Sequence, residues 1–393
     1  MGRNKIRGRL LVGGLIALFA VVALLWPVHG TAQNKVKKDK QAPEYLELMW
    51  PEPPQEPRIK FVDVLSSELD VGRKITFRES FMKTLTGKKV DIAKMYQPRD
   101  VAVSDDGKRV YTSDFGQSVV HVFDHEARIM QSWRAERAFG LALDADENIY
   151  VVEQEARQIK VFNRGGEVLR TIKHASIIRP TDIAIDRIRQ RIYLADPATK
   201  ASEEHLVRVF DMEGNLLLKI GKAKGTCEGC LYFPTYVAVG KNGDVYVTST
   251  MNARVDVFDM EGNYLRRIGD RGNGYGLFDK PKGVALDAFD NIYVVDSGWS
   301  NVQIFNQKGE VLLFFGGRGS YPGLLKNPTG ITITKNNKIF VADFLNYRVV
   351  QYELVNTKAA DSFLVIPAEG EPEPTTAETE EQPVNRAAAA TGK

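Results

Sequence analysis

The chain has 393 residues, 43% of them hydrophobic and 26% charged, so a wholly disordered chain and a polytopic membrane protein are both excluded. Lys and Arg number 53 against 50 Asp and Glu, a net +3 that argues against a dedicated nucleic-acid binder. Two cysteines exclude a disulfide scaffold and a four-thiolate metal site, while 33 glycines and 14 tyrosines favour strands and tight turns over helical bundles.

In chain order, Arg3, Lys5, Arg7 and Arg9 precede an apolar run from Leu10 to Trp26, closed by Pro27. This is the charge-then-apolar order of an export signal. Gly30-Thr31-Ala32 offers small residues for cleavage after Ala32; uncleaved, the run is at the short limit for a single membrane anchor. No cysteine follows it, which excludes a lipoprotein. Residues 1–32 are therefore read as a signal peptide or a hydrophobic anchor helix. The rest is expected outside the cytoplasm, on the periplasmic side, either anchored in the inner membrane or secreted. Residues 33–57 are read as a Pro-rich tether, and 58–357 as the folded part. Residues 358–393 form an acidic tail too poor in apolar side chains to fold.

Within 58–357 six segments share one grammar. An opening residue (Pro98, Ala138, Pro180, Pro234, Pro281, Pro328) begins a short apolar strand. A second strand carries an aromatic (Tyr111, Tyr150, Tyr193, Tyr246, Tyr293, Phe340), and a third ends in another (Phe123, Phe162, Phe210, Phe258, Phe305, Tyr352). The second- and third-strand aromatics are twelve residues apart in five units and seventeen in the third, where 197–204 is an inserted loop. Turns such as Asp211-Met-Glu-Gly-Asn215 and Asp259-Met-Glu-Gly-Asn263 then lead to a fourth strand. Four strands per unit, repeated six times, predict an all-β, six-bladed β-propeller with four-stranded blades. Arg58-Ile-Lys-Phe-Val-Asp-Val64 precedes the first unit and resembles the fourth strands, so it is expected to complete the last blade and close the ring.

The pattern Pro-x-Gly-Ile/Val-Ala, Ile-Tyr-Val-x-Asp and Arg-Val-x-Val-Phe-Asp, clearest at Pro281–Phe305 and Pro328–Tyr352, resembles the NHL repeat. The resemblance implies the TolB-like propeller fold but leaves function open, because NHL propellers include RNA-binding, protein-binding and lyase domains. The stretch PEPPQEPRIKF, Pro51 to Phe61, also resembles exported bacterial NHL propellers, some encoded beside multihaem cytochromes. An electron-transfer cytochrome assembly is thus one partner the resemblance implies.

Cys227-Glu-Gly-Cys230 is followed by Leu231 and not His, which excludes covalent haem attachment; a local disulfide is expected. The lyases that the repeat resembles hold a central metal with several histidines. Here His29, His121, His125, His174 and His205 are scattered, and no first strand carries one. The first strands should crowd round the axis with Gly and Ala, as at Gly140, Gly283 and Gly330. Asp100, Asp182 and Tyr236 occupy the same repeat position and are axial candidates. The six-bladed lactonases would place Ca²⁺ there, but two acids suit caps on neighbouring backbone better than a metal. Asp114, Asp196, Asp296 and Asp343 recur by blade and read as structural. No cofactor and no metal is expected.

Charge separates the two faces. The connections between blades are net positive, and the hairpins on the opposite face are net negative. Lys222, Lys224, Arg271, Arg318 and Lys326 lie on the basic face, together with the aromatics Phe115, Trp299, Tyr321, Phe344 and Tyr347. That mixture suits a docking surface. The reading is a non-catalytic binding or scaffolding propeller of the cell envelope that takes an envelope protein or an anionic polymer, and no nucleic acid. A metal-dependent lactonase- or lyase-type enzyme at the axis is the first alternative, and an RNA-binding NHL domain the second.

Overall fold

The structure is a computed structural model that describes residues 48–356. The anchor or signal segment, most of the tether and the acidic tail lie outside the described residues. Six four-stranded antiparallel sheets follow one another along the chain: blade 1 (98–134), blade 2 (138–173), blade 3 (182–220), blade 4 (234–268), blade 5 (281–316) and blade 6 (328–354). Each blade begins with its innermost strand, so the chain is a six-bladed β-propeller.

Burial explains why the strands read as they do. The second strands, such as Ile292–Asp296, are buried almost throughout because both faces of the sheet pack on neighbouring blades. The outer strands are largely exposed, and those of blades 3 and 4 alternate, as in Leu216–Ile220, because only one face is covered. The apolar core accordingly divides into six clusters, one at each seam between adjacent blades.

Strand β2 (Ile59–Leu65) pairs antiparallel with the third strand of blade 6, from Ile59 opposite Leu354 to Leu65 opposite Val349. The N-terminal strand therefore closes the ring, burying Ile59, Phe61 and Leu65. One part of the tether needs correction. From Leu48 the chain is already docked, with a two-residue strand β1 (Met49–Trp50) pairing with β2 as a fifth strand. The cause is Trp50, whose ring packs 5.8 Å from Tyr352 and 6.1 Å from Phe315, so the tryptophan finds a seam to fill.

The connection 66–97 holds one feature the repeat grammar does not foresee, helix α1 (Phe77–Thr86). Thr76 and Glu79 form a capping box at its start, and Gly87 at φ 68° closes its end. None of its residues is buried, and Phe77, Phe81, Met82 and Leu85 are exposed. Among the described residues no helix is long and apolar enough to cross a membrane.

Candidate functional site: the propeller axis and its loop face

The inner strands run from the face that carries the blade-to-blade connections towards the face of the hairpins. Their successive positions therefore form layers along the axis. The second position of each unit is Arg99, Phe139, Thr181, Thr235, Lys282 and Thr329; the third is Asp100, Gly140, Asp182, Tyr236, Gly283 and Gly330.

In the third layer the candidate acids join blades. Asp100 Oδ2 accepts from the backbone N–H of Leu141 in blade 2 at 2.9 Å, and Asp182 Oδ2 from that of Val237 in blade 4 at 2.9 Å. The glycines of the layer make room for them. A Cβ on Gly330 would stand 2.7 Å from the Asp100 Cα, and one on Gly140 2.5 Å from the Asp182 Cα. Tyr236 crosses the axis to donate to the Arg99 carbonyl of blade 1 at 3.1 Å. Burial raises the Asp100 carboxyl to about 7. Burial, and then the Asp100 charge, push Asp182 well above its ordinary range. Tyr236 is also raised, by burial and then by the two acids, and remains a phenol. The pair can hold a proton near neutrality, but each carboxylate already serves as a backbone cap.

Beyond this layer lies an axial cavity of about 320 Å³, walled by residues such as Val103, Leu143 and Leu286 and reaching Arg187 in a blade 3 hairpin. Asp100, Asp182 and Tyr236 form its end nearest the connections, so it belongs to the hairpin half of the axis. Among the described residues no group of three or more His, Cys, Asp or Glu is arranged to hold a metal ion. The described histidines have other neighbours. His121 lies 3.4 Å from Asp114 and 2.8 Å from Ser132 Oγ, His174 bonds Ser176, and His205 accepts from the Phe233 N–H. His125 is exposed, within the field of Asp63 and Asp124.

The recurring second-strand acids hold the connections. Asp114 accepts from the N–H groups of Tyr96, Gln97 and Gln117; Asp196 from Ile178 and Arg179; Asp296 from Asp279 and Lys280; Asp343 from Lys326. Basic residues of the face do similar work. Lys224, Arg271 and Arg318 stand at equivalent places in three successive connections. Each donates to a carbonyl of the preceding blade: Lys200 at 2.7 Å, Met251 at 2.8 Å and Gly298 at 2.6 Å. Lys222 and Lys326 are exposed. Trp299, Tyr321 and Tyr347 are exposed by 43%, 70% and 45%, and Tyr347 stacks on Tyr96 at 5.6 Å. Tyr275, which the sequence reading passed over, is 74% exposed and stacks on Phe314.

Phe115 and Phe344 have a different setting. With Phe139 they surround the Arg99 guanidinium, whose Cζ lies 5.2, 4.7 and 5.0 Å from the Phe115, Phe344 and Phe139 ring centres. Arg99 was not singled out by sequence reasoning, although its place directly after an opening proline was legible from the repeat register.

Cys227 and Cys230 are joined as a disulfide across a turn closed by the Cys230 N–H to the Cys227 carbonyl. The two following connections make the same turn without a disulfide, Leu277 to Gly274 and Leu324 to Tyr321. Arg254 donates to the Thr226, Cys227 and Cys230 carbonyls, as Arg348 does to those of Ser320, Tyr321 and Leu324.

A family model described as a 6-bladed beta-propeller matches residues 230–298 and 283–363, about a third of the chain. No protein of curated function matches the sequence. Among solved structures, a gluconolactonase from Xanthomonas campestris is similar over 66% of this chain and 86% of its own, at 16% identity and a TM-score of 0.53. A streptogramin B lyase is similar over 66% and 94%, at 11% identity and a TM-score of 0.51. A chain of Kuenenia stuttgartiensis hydrazine synthase is similar over 69% and 99%, at 13% identity and a TM-score of 0.50. At such identities the likeness is one of fold.

Proposed function

We propose that this propeller is an extracytoplasmic binding module of the cell envelope, which docks an acidic protein or an anionic polymer on its connection face. The observation that carries this reading is the combination on that face of exposed aromatics (Trp299, Tyr321, Tyr275) with basic side chains that pair with no carboxylate among the described residues, Arg271 and Arg318 among them. Because these guanidiniums are braced against backbone carbonyls, they are presented with little entropy left to lose on binding. A partner of opposite charge is drawn in by the field of the face and held by contacts with the aromatics.

An enzyme of lactonase or lyase type at the axis is the second reading. It is favoured by the axial cavity and by an Asp100–Asp182 pair able to carry a proton near neutrality. Against it stands the engagement of both acids on the N–H groups of Leu141 and Val237.

One experiment separates the faces. Arg271, Arg318 and Lys326 are changed to Glu in one variant. In a second, the hairpin residues Glu213 and Glu261 are changed to Lys, leaving the turn-capping Asp211 and Asp259 intact. Both are tested for retention of envelope components against wild type of equal melting temperature. The first should lose binding, chiefly through slower association, and the second should keep it. Loss confined to the hairpin variant would reverse the assignment of the docking face. Binding by wild type and both variants alike would remove electrostatics from the account.

A further inference from the structure

We propose that the connection end of the axis is a binding site for a phosphate-class dianion, held between Arg99 and Lys282. The site lies on the face read above as the docking surface and rests on that reading only for the larger partner that carries the anion.

Two cations occupy one layer there, and no carboxylate among the described residues pairs with either. Arg99 is the second residue of the inner strand of blade 1 and Lys282 that of blade 5, on either side of Thr329 of blade 6 in one layer, and the Arg99 charge acts on the Lys282 ammonium. Three phenyl rings surround the Arg99 guanidinium, so water is kept from its faces and only the N–H rim remains polar. Its buried Nε has no acceptor. Among the described residues neither side chain forms an ion pair or donates a hydrogen bond. Burial, the Arg99 charge and the Lys280 charge together lower the Lys282 ammonium to about 8. Burial also lowers Arg99.

The remaining neighbours are engaged elsewhere. Asp100 and Asp182 sit one layer deeper, where each carboxyl accepts from a backbone N–H of a neighbouring blade. Tyr236 stays neutral. The threonines of the layer are engaged: Thr329 donates to the Arg99 carbonyl at 2.7 Å, Thr181 to that of Ala195 at 3.3 Å, and Thr235 pairs with Thr250. Like charges brought together in a poorly solvated place are costly unless an anion joins them. A guanidinium fork beside an ammonium matches the oxygens and the double charge of phosphate. A single carboxylate would leave one cation unanswered.

The test is calorimetric titration of the full chain at pH 8 and low salt, with inorganic phosphate as probe and acetate as the arm of single charge. Phosphate should bind at one saturable site, at least about tenfold more tightly than acetate. Lys282→Gln and Arg99→Gln should each weaken it by about tenfold or more, while Lys308→Gln in a hairpin of the opposite face leaves it unchanged. An anion favours the charged ammonium, so binding should take up protons at Lys282. The measured heat should then vary with the ionisation enthalpy of the buffer, and Lys282→Gln should abolish that variation. Should Arg99→Gln fail to fold for loss of its cage, Lys282→Gln decides alone. No saturable binding below ~10 mM phosphate, equal affinity for acetate, or undiminished binding by Lys282→Gln overturns the proposal. Phosphate binding in a protein that retains no envelope component would keep this site and sink only the docking reading.

Discussion

At the connection end of the axis, the second residues of the inner strands include Lys282 and an Arg99 held among three phenyl rings; towards the hairpin end, the later residues of the same strands line a cavity that stops at Asp100, Asp182 and Tyr236. One step along a strand separates Arg99 from Asp100, yet their environments are opposite. The acid layer has backbone N–H partners from neighbouring blades, so its polar groups work within the ring. In the cation layer the threonines are engaged likewise, but among the described residues the Arg99 and Lys282 side chains have no partner. A close-packed ring satisfies its own donors and acceptors wherever strands pass each other. Arg99 Nε, without a partner at the end of the axis, is what the proposed anion would answer.

The largest expected effect opens the ring that holds both ends of the axis together. Deleting residues 48–65 takes away β1 and β2, exposes the edge of blade 6, and uncovers the seam filled by Ile59, Phe61 and Leu65. Each large apolar side chain contributes about 1.5–3 kcal/mol, so the loss approaches the whole stability of an ordinary domain. The truncated chain should aggregate or lose its cooperative melting transition in circular dichroism. A melting temperature equal to wild type would show that blade 6 closes by other means.

A smaller effect isolates the acid layer. Burial raises Asp100 from 3.8 to about 7, so the folded chain holds a proton that the unfolded chain releases. Stability should fall as pH rises from about 4 to about 7 and stay low above that. Asp100→Asn removes the charge while keeping an acceptor for the Leu141 N–H. Its melting temperature should exceed wild type at pH 8 by several degrees, and the gap should narrow towards pH 5. Melting curves across that range check this, and a gap that widens on acidification would contradict the burial of the pair.

The smallest effect belongs to the disulfide. Replacing Cys227 and Cys230 by serine should shift stability by less than about 2 kcal/mol, since the bridge closes a very short loop. Arg254 still clasps the same turn, and the sister connections form theirs without a bridge. A thermal melt of the double variant measures it; a loss comparable with the strand deletion would mean that the loop needs its cross-link to form.

Much of the architecture was legible because a repeat reports the same local chemistry six times over. The spacing of Tyr111–Phe123, repeated down to Phe340–Tyr352, marks strands whose faces are both buried, and the orphan strand at Ile59–Leu65 could be matched to the empty place in blade 6. Even the structural part of Asp114, Asp196, Asp296 and Asp343 followed from recurrence, since each caps the connection of its own blade. The docking of Trp50 and the helix at Phe77–Thr86 were not legible, because each occurs once and no second copy shows the pattern.

The sequence by itself determined the six blades, the closing strand and the segregation of charge between the faces, since periodic burial and turn chemistry are written in short stretches. Only the tertiary structure decided what meets at the axis. Phe344, Arg99, Phe115 and Phe139 come from blades 6, 1 and 2, and Lys282 from blade 5, separated by up to most of the folded chain. Nothing in the neighbourhood of any one of them along the chain marks the others. Ring closure brings them into one layer, and with that comes the desolvation that leaves Arg99 and Lys282 with no paired carboxylate among the described residues.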